Sequence, residues 1–363
     1  MSDIDRSNRF NLLRLMAALA VFAAHGDFLY RLHLPVPLPG HSLGSLAVYV
    51  FFFVSGYLVC QSWEREPDWF AFWSKRVLRV FPGLIVAVAF SVFVVGWAVT
   101  TLPSTAYWWA PGTWVNFINN AAGLATVQTL PGVFESNPFA RAVNGSLWTI
   151  RYELAMYLLL ALVAWGARGR RLVYPVVAAS LAILWEAARL GLWDARLEAA
   201  GGPLADVFRW RDFCGFGVSF FVGSTVAAYG LRARPWMGGV ALAAAVVAFY
   251  APGALLIQLA VWVMIAFGTF FMAHVGNPAP AEAGRAPVDI SYGVYIYAFP
   301  VQQAVTMLCL REGWSLAVCM LLSLVPVVLL ALLSWHGVEQ PAIRAGRRWL
   351  AAARRRPGRP VGA

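Results

Sequence analysis

Apolar residues run in stretches of about twenty along most of this chain, separated by short polar clusters. One such stretch, wound as a single helix, crosses a hydrocarbon core about 30 Å thick. The pattern predicts about ten spans, at residues 10–30, 43–62, 82–102, 146–166, 172–190, 213–230, 236–252, 254–275, 289–310 and 314–334. The expected fold is therefore all-α, a polytopic membrane helical bundle, with neither an internal repeat nor a separate soluble domain. Basic residues fall in alternate loops: Arg6 and Arg9, then Lys75, Arg76 and Arg79, then Arg168, Arg170 and Arg171, then Arg232 and Arg234, then Arg344, Arg347 and Arg348. Loops of the other parity hold fewer, which places both termini in the cytoplasm. The first run is too long for a cleaved signal and no small-residue exit site follows it, so it is expected to remain a span.

Composition sharpens this picture. The chain is 60% hydrophobic and 12% charged, about half the charge of an ordinary soluble domain. A formal charge of +11 raises nucleic acid as a partner, but the cations sit in short clusters between spans, where they orient a protein in a lipid bilayer. Cys60, Cys214, Cys309 and Cys319 all lie in apolar runs with no C-x-x-C pair, so inert buried thiols are expected, not a metal or disulfide set. Residues 103–145 form a long outer loop whose Trp108, Trp109 and Trp114 can stack on sugar rings or belt the interface. A second outer loop, 193–212, carries Asp194, Glu198, Asp206 and Asp212 and reads as solvated. Residues 63–81 mix aromatic and basic side chains as a helix lying in the headgroup plane would. A basic cytoplasmic arm, 344–363, follows a membrane domain over 1–343.

Candidate chemistry begins in residues 8–27. Ionisable side chains inside a span are costly and so point to function. Arg14 and His25 stand eleven residues apart, which brings them within about 20° of one helix face and separates them by about 16 Å along it. An imidazole can take a proton from an attacking hydroxyl. Glu153, about 10 Å below the outer face if its span enters near Ser146, is level with His25, about 22 Å above the inner face. It can accept the ring N–H as the carboxylate of a hydrolase triad does, or form a structural ion pair. Tyr157 shares its face. Arg76 and Arg79, beside Lys75, present paired cations at the inner face, suited to phosphates or to orientation alone. Ser55 precedes Gly56, a pair that lets helices approach closely, and no G-x-S-x-G elbow surrounds it. Tyr292 and Tyr295 share a face that can line an acceptor route or pack. Glu339 is expected to cap or pair near the inner face, and His33, His41, His274 and His336 are given no chemistry.

The ordered set of Arg14–His25, FFFVSGY at 51–57, KRVLRVFP at 75–82, NGSLWTIRYELAMY at 144–157, ISYGVYIYAFP at 290–300 and VEQP at 338–341 resembles the acyltransferase 3 family of integral-membrane O-acyltransferases, over nearly the whole chain. One position departs: many relatives carry His where this chain has Ala298. The resemblance implies transfer of an acyl group, most readily acetyl, from cytoplasmic acyl-CoA to a hydroxyl of a surface or lipid-linked glycan, in a bacterial inner membrane. Arg14, Lys75, Arg76 and Arg79 would hold the acyl-CoA (acetyl-CoA) donor. His25 would act as base or acyl carrier with Glu153 and Arg14, and Ser55, Tyr157, Tyr292 and Tyr295 would line the acceptor route, with no metal. The rival reading is a transporter or flippase of a lipid-linked sugar, with the buried Arg, His and Glu as its pathway.

Overall fold

The computed structural model describes residues 9–30, 34–123, 125–192, 209–275 and 288–354. Among these residues the fold is helical, with one isolated bridge between Leu38 and His41. The helices in order are α1 (Phe10–Tyr30), α2 (Leu43–Arg65), α3 (Trp69–Ala89), α4 (Ser104–Trp109), α5 (Pro111–Ala122), α6 (Ile150–Ala167), α7 (Val173–Arg189), α8 (Trp210–Tyr229), α9 (Trp236–Tyr250), α10 (Ala254–His274), α11 (Ser291–Glu312), α12 (Leu316–Ser334) and α13 (Gln340–Arg354). Two π-helical stretches interrupt this series: Phe90–Gly96 carries α3 on to Val99, and Trp335–Glu339 joins α12 to α13. Eight of the described helical stretches are long and apolar enough to cross a membrane. The expected fifth and seventh spans are the shorter α7 and α9, of 17 and 15 residues.

Lipid tails are as apolar as leucine, so spans are held by close packing and hydrogen bonds and not by burial from water. Helices α2 and α8 show the packing. A methyl added at Gly56 would collide with the backbone of Phe220, and one at Gly223 with the backbone of Phe53. The two glycines thus face reciprocal backbone, and Ser224 donates across the contact to Gly56 O at 3.1 Å. Helix α11 runs through the centre of the bundle, against α1 on one side and α12 on the other. Its Pro300 has no N–H for the carbonyl of Ile296, one turn back. Asn144 Nδ2 takes that carbonyl at 2.9 Å, while Asn144 Oδ1 accepts from Ser146 N at 3.1 Å. The NGS segment is therefore a clamp on the proline break of α11.

Several expectations change here. Cys309 and Cys319 form a disulfide between the end of α11 and the start of α12; Cys60 and Cys214 are buried and outside it. Both bridged residues lie in apolar runs, and what brings them together is the tight turn at Gly313, φ 64°. Residues 63–81 are not a separate interfacial helix. They are the end of α2, a turn, and the first half of α3, whose start is capped by Asp68 accepting from Ala71 N at 2.7 Å. The arm after residue 343 is helical as far as Arg354 and lies against α3, with Trp349 4.8 Å from Phe70. Residues 355–363, His33, Asp194, Glu198 and Asp206 lie outside the described residues. In segment 103–145 Trp108 is stacked on Phe93 and Trp114 donates to Trp108 O; Trp109 and Trp114 are exposed, Trp109 the more so.

Candidate active site

The π-stretch Trp335–Glu339 and the segment just before α11 build the end of the bundle where Arg79 sits. Asp289, just before α11, accepts from Arg14 at 2.6 Å and from Arg79 at 2.7 Å through a single oxygen, Oδ2. Its other oxygen accepts from Ser291 Oγ at 2.5 Å. Arg79 reaches Glu339 with its second arm at 2.8 Å, and Glu339, fully buried in the π-stretch, also accepts from Ser334 Oγ at 2.9 Å. Burial alone would raise the Asp289 carboxyl; the two guanidiniums outweigh it and hold it down at about 2. Arg76, one turn before Arg79, has no carboxylate at ion-pair distance among the described residues. Its Nη2 donates to Ser62 at 3.2 Å, and its Nε is buried without a partner. Lys75 is paired with Glu66 at 2.6 Å.

A polar passage leads inward from Arg76. One small cavity is lined by Arg76, Arg79, Arg14, Ser55, Glu153 and Tyr157. The next shares Arg14, Ser55, Glu153 and Tyr292 with it and reaches Val48 and Tyr295. Val48 and Tyr295 in turn line a chamber of 660 Å³ that contains His25. In the middle of this route Glu153 accepts from Ser55 Oγ at 3.0 Å and from Tyr157 OH. Tyr295 is held by Thr149 at 2.6 Å.

At the far end, His25 is buried between Phe28 and Phe299, with ring centroids 5.6 and 5.1 Å away. Its Nδ1 lies 3.1 Å from Gln302 Oε1. Gln302 Nε2 donates to Phe22 O at 2.9 Å, which fixes the amide so that its oxygen faces the imidazole. The network therefore assigns the proton to Nδ1 and leaves Nε2 as the basic nitrogen of the neutral ring. Among the described residues no group of three or more His, Cys, Asp or Glu could hold a metal.

Comparison with known proteins bears on what this passage does. The acyltransferase 3 family, described as an acyltransferase domain, matches residues 7–335. The chain belongs to that family. Among its relatives are an O-acetyl transferase of Shigella phage Sf6, 29% identical over 93% of this chain and 96% of its own, and nodulation protein 10 of Rhizobium leguminosarum bv. viciae, 28% identical over 93% of each. Acyltransferase MdmB of Streptomyces mycarofaciens is 34% identical over 26% of each chain. No solved structure is significantly similar.

With this acyltransferase 3 family in view, the residues singled out in the sequence, apart from Lys75, which lies outside the passage paired with Glu66, sort into two places. Arg14, Ser55, Arg76, Arg79, Glu153, Tyr157 and Tyr292 line the two inner cavities, Tyr295 links the middle to the chamber, and His25 lies in the chamber. The expected His25–Glu153 bond is not formed. Glu153 lines the two inner cavities with Arg14, not the His25 chamber; it turns towards Ser55 on α2, and Gln302 on α11 holds the imidazole instead. Arg79 is committed to two carboxylates, so it does not match Arg76 as an open cation. Asp289 and Gln302 went unread. The signal for Asp289 was the in-span Arg14, which demands a buried anion; Gln302 carried none, since an amide in an apolar helix has no periodic signature. His41, given no chemistry, lines the chamber.

Proposed function

We propose that the chain is an O-acetyltransferase that takes acetyl from acetyl-CoA on the cytoplasmic side and passes it to a hydroxyl of a surface or lipid-linked glycan, in a bacterial cytoplasmic membrane. The observation that carries this reading is the run of shared linings from Arg76 to His25. Arg76 suits the donor's phosphates because a guanidinium binds phosphate as a planar fork. A neighbouring cavity lined by Ser62, Arg65, Glu66 and Lys75 gives room beside it for the nucleotide. From Arg14 to His25 the rise is about 16 Å, a path for an extended pantetheine arm that brings its thioester to the imidazole. The disulfide at the His25 end supports an oxidising outer side there. Arg9 and α13 both lie at the Arg79 end, in keeping with cytoplasmic termini. The phage relative's name supports acetyl as the group moved.

In this reaction His25 Nε2 takes the proton of the acceptor hydroxyl as its oxygen attacks the thioester carbonyl. The carbon–sulfur bond breaks, and the coenzyme thiolate takes up a proton, from the imidazolium or from water. If the acetyl group rests first on the imidazole, the same Nε2 carries it. Purified protein is expected to release coenzyme A thiol from acetyl-CoA in the presence of a glycan acceptor. The variant His25→Gln, confirmed monodisperse by size exclusion, is expected to lose transfer by at least 100-fold, within the range of general-base contributions. Transfer at the wild-type rate in folded His25→Gln would remove His25 from the chemistry.

A further inference from the structure

The chamber around His25 carries more charge than the transfer itself uses. Arg151 comes from the first turn of α6, and Arg209 and Arg211 flank the start of α8, so folding gathers guanidiniums from two distant segments on one wall. None of the three has a carboxylate at ion-pair distance among the described residues. Arg211 lies over the Trp185 ring at 5.1 Å and Arg151 over the Tyr152 ring at 5.2 Å. A guanidinium braced by its face keeps its N–H edge for a planar anion. Arg151 Nε is buried without a hydrogen-bond partner among the described residues, and a buried donor left open costs free energy until an acceptor arrives. The chamber's own carboxylates are Asp27 and Asp212; Asp27 already accepts from Leu34 N at 2.8 Å. Asp212 is, among the described residues, the one carboxylate whose charge acts on Arg151, Arg209 and Arg211 together, short of ion-pair contact, so the three guanidiniums keep a net positive charge. Burial, helped by Arg211, pushes His41 below the usual imidazole value, so it adds no cation at neutral pH. Phe28, Phe299 and Trp148 supply apolar faces in the same chamber.

Resting on the acyl-transfer reading, we propose that the chamber grips its acceptor saccharide by an anionic group, a carboxylate or a phosphoryl, held by Arg151 and Arg211 while a hydroxyl faces His25. The charged group gives orientation, since a fork contact fixes the plane of the anion, and the aromatic faces take the ring. Binding can be measured without any donor, which separates this proposal from the transfer reading. The probes are glucose, glucuronate and glucose 1-phosphate, titrated into the detergent-solubilised full chain and followed by tryptophan fluorescence at low and high salt. Either anion or both are expected to bind at least 10-fold more tightly than glucose, with the advantage shrinking in high salt. Preference for glucuronate identifies a carboxylate acceptor, and preference for the phosphate a phosphorylated one. The double variant R151Q/R211Q is expected to lose the advantage. R211K, which keeps the charge and loses the fork, is expected to lose part of it and serves if the double variant does not fold. Equal affinity for all three sugars in the wild-type chain, or an undiminished anion preference in a folded R151Q/R211Q chain, would overturn the proposal. Anion binding without thiol release from acetyl-CoA would overturn the transfer reading and leave this site standing.

Discussion

At the scale of single residues, the buried groups divide into those that are neutralised and those left open. Arg79 is held by Asp289 and Glu339, whereas Arg76 has a hydroxyl partner and an unpartnered Nε. Replacing Arg76 with Gln is expected to raise KM for the acyl donor about 10-fold or more, the value of one charge-assisted hydrogen bond, with acceptor KM little changed. Replacing Asp289 with Asn leaves Arg14 and Arg79 without their shared anion and is expected to cost about 3–5 kcal/mol of stability, read by thermal unfolding in detergent. The sign of the pH effect follows from the same pair. A carboxyl held at about 2 when folded and near about 3.9 when unfolded stabilises the fold above the higher value. That contribution is lost as pH falls through the lower one. The wild-type chain should therefore lose stability between those two values more steeply than Asp289→Asn. Gln302 acts through His25. In Gln302→Met the ring loses its Nδ1 acceptor, so kcat is expected to fall at unchanged donor KM. Nitrogen-15 NMR of labelled histidines should show the two neutral tautomers mixing at His25, which a purely structural role for Gln302 would not produce.

At the scale of elements, the bundle depends on places where helices break their own rules. Pro300 opens a carbonyl in α11, and Asn144 closes it. The π-stretch Trp335–Glu339 turns Glu339 inward to Arg79, as π-bulges often do at functional sites. Because Asn144 ties the segment leading into α6 to the helix that carries Gln302, Asn144→Ala should disturb both. Leaving Ile296 O without its partner is expected to cost about 1–3 kcal/mol. Gly56→Leu meets backbone on α8 directly, so it is expected to prevent a monodisperse protein from forming. Gly166→Leu, at a glycine with open space around it, is the matched control and should purify normally.

At the scale of the whole molecule, the proposed transfer from a cytoplasmic donor to an outer acceptor requires the two ends of the passage to lie on opposite sides of a membrane. A cysteine introduced at Ser104, in α4 beyond the end of α3, is expected to react with an impermeant thiol reagent in intact spheroplasts. A tag placed after α13 should resist protease until the membrane is opened. The reverse pattern would put Arg76 on the wrong side for a cytoplasmic donor. The covalent link between α11 and α12 belongs to the same end as His25, so its reduction offers a second reading of sidedness.

Run lengths of apolar residues were enough to set the class, because a helix that must satisfy its own backbone in lipid has a fixed minimum length. They also located most of the spans, and the eleven-residue spacing put Arg14 and His25 on one side of α1, facing the passage. The ordered motifs led to the family that the comparison established. What lay beyond the sequence was every pairing that depends on rotation about a helix axis or on the path of a turn. Glu153, expected level with His25, lines the inner cavities beside Arg14 and faces α2. Gln302 took the imidazole, Asp289 drew two arginines to one oxygen, and Cys309 met Cys319 across a turn. Spacing along one helix follows from counting residues, whereas partners follow from the angular packing of helices, and only the folded chain fixes that.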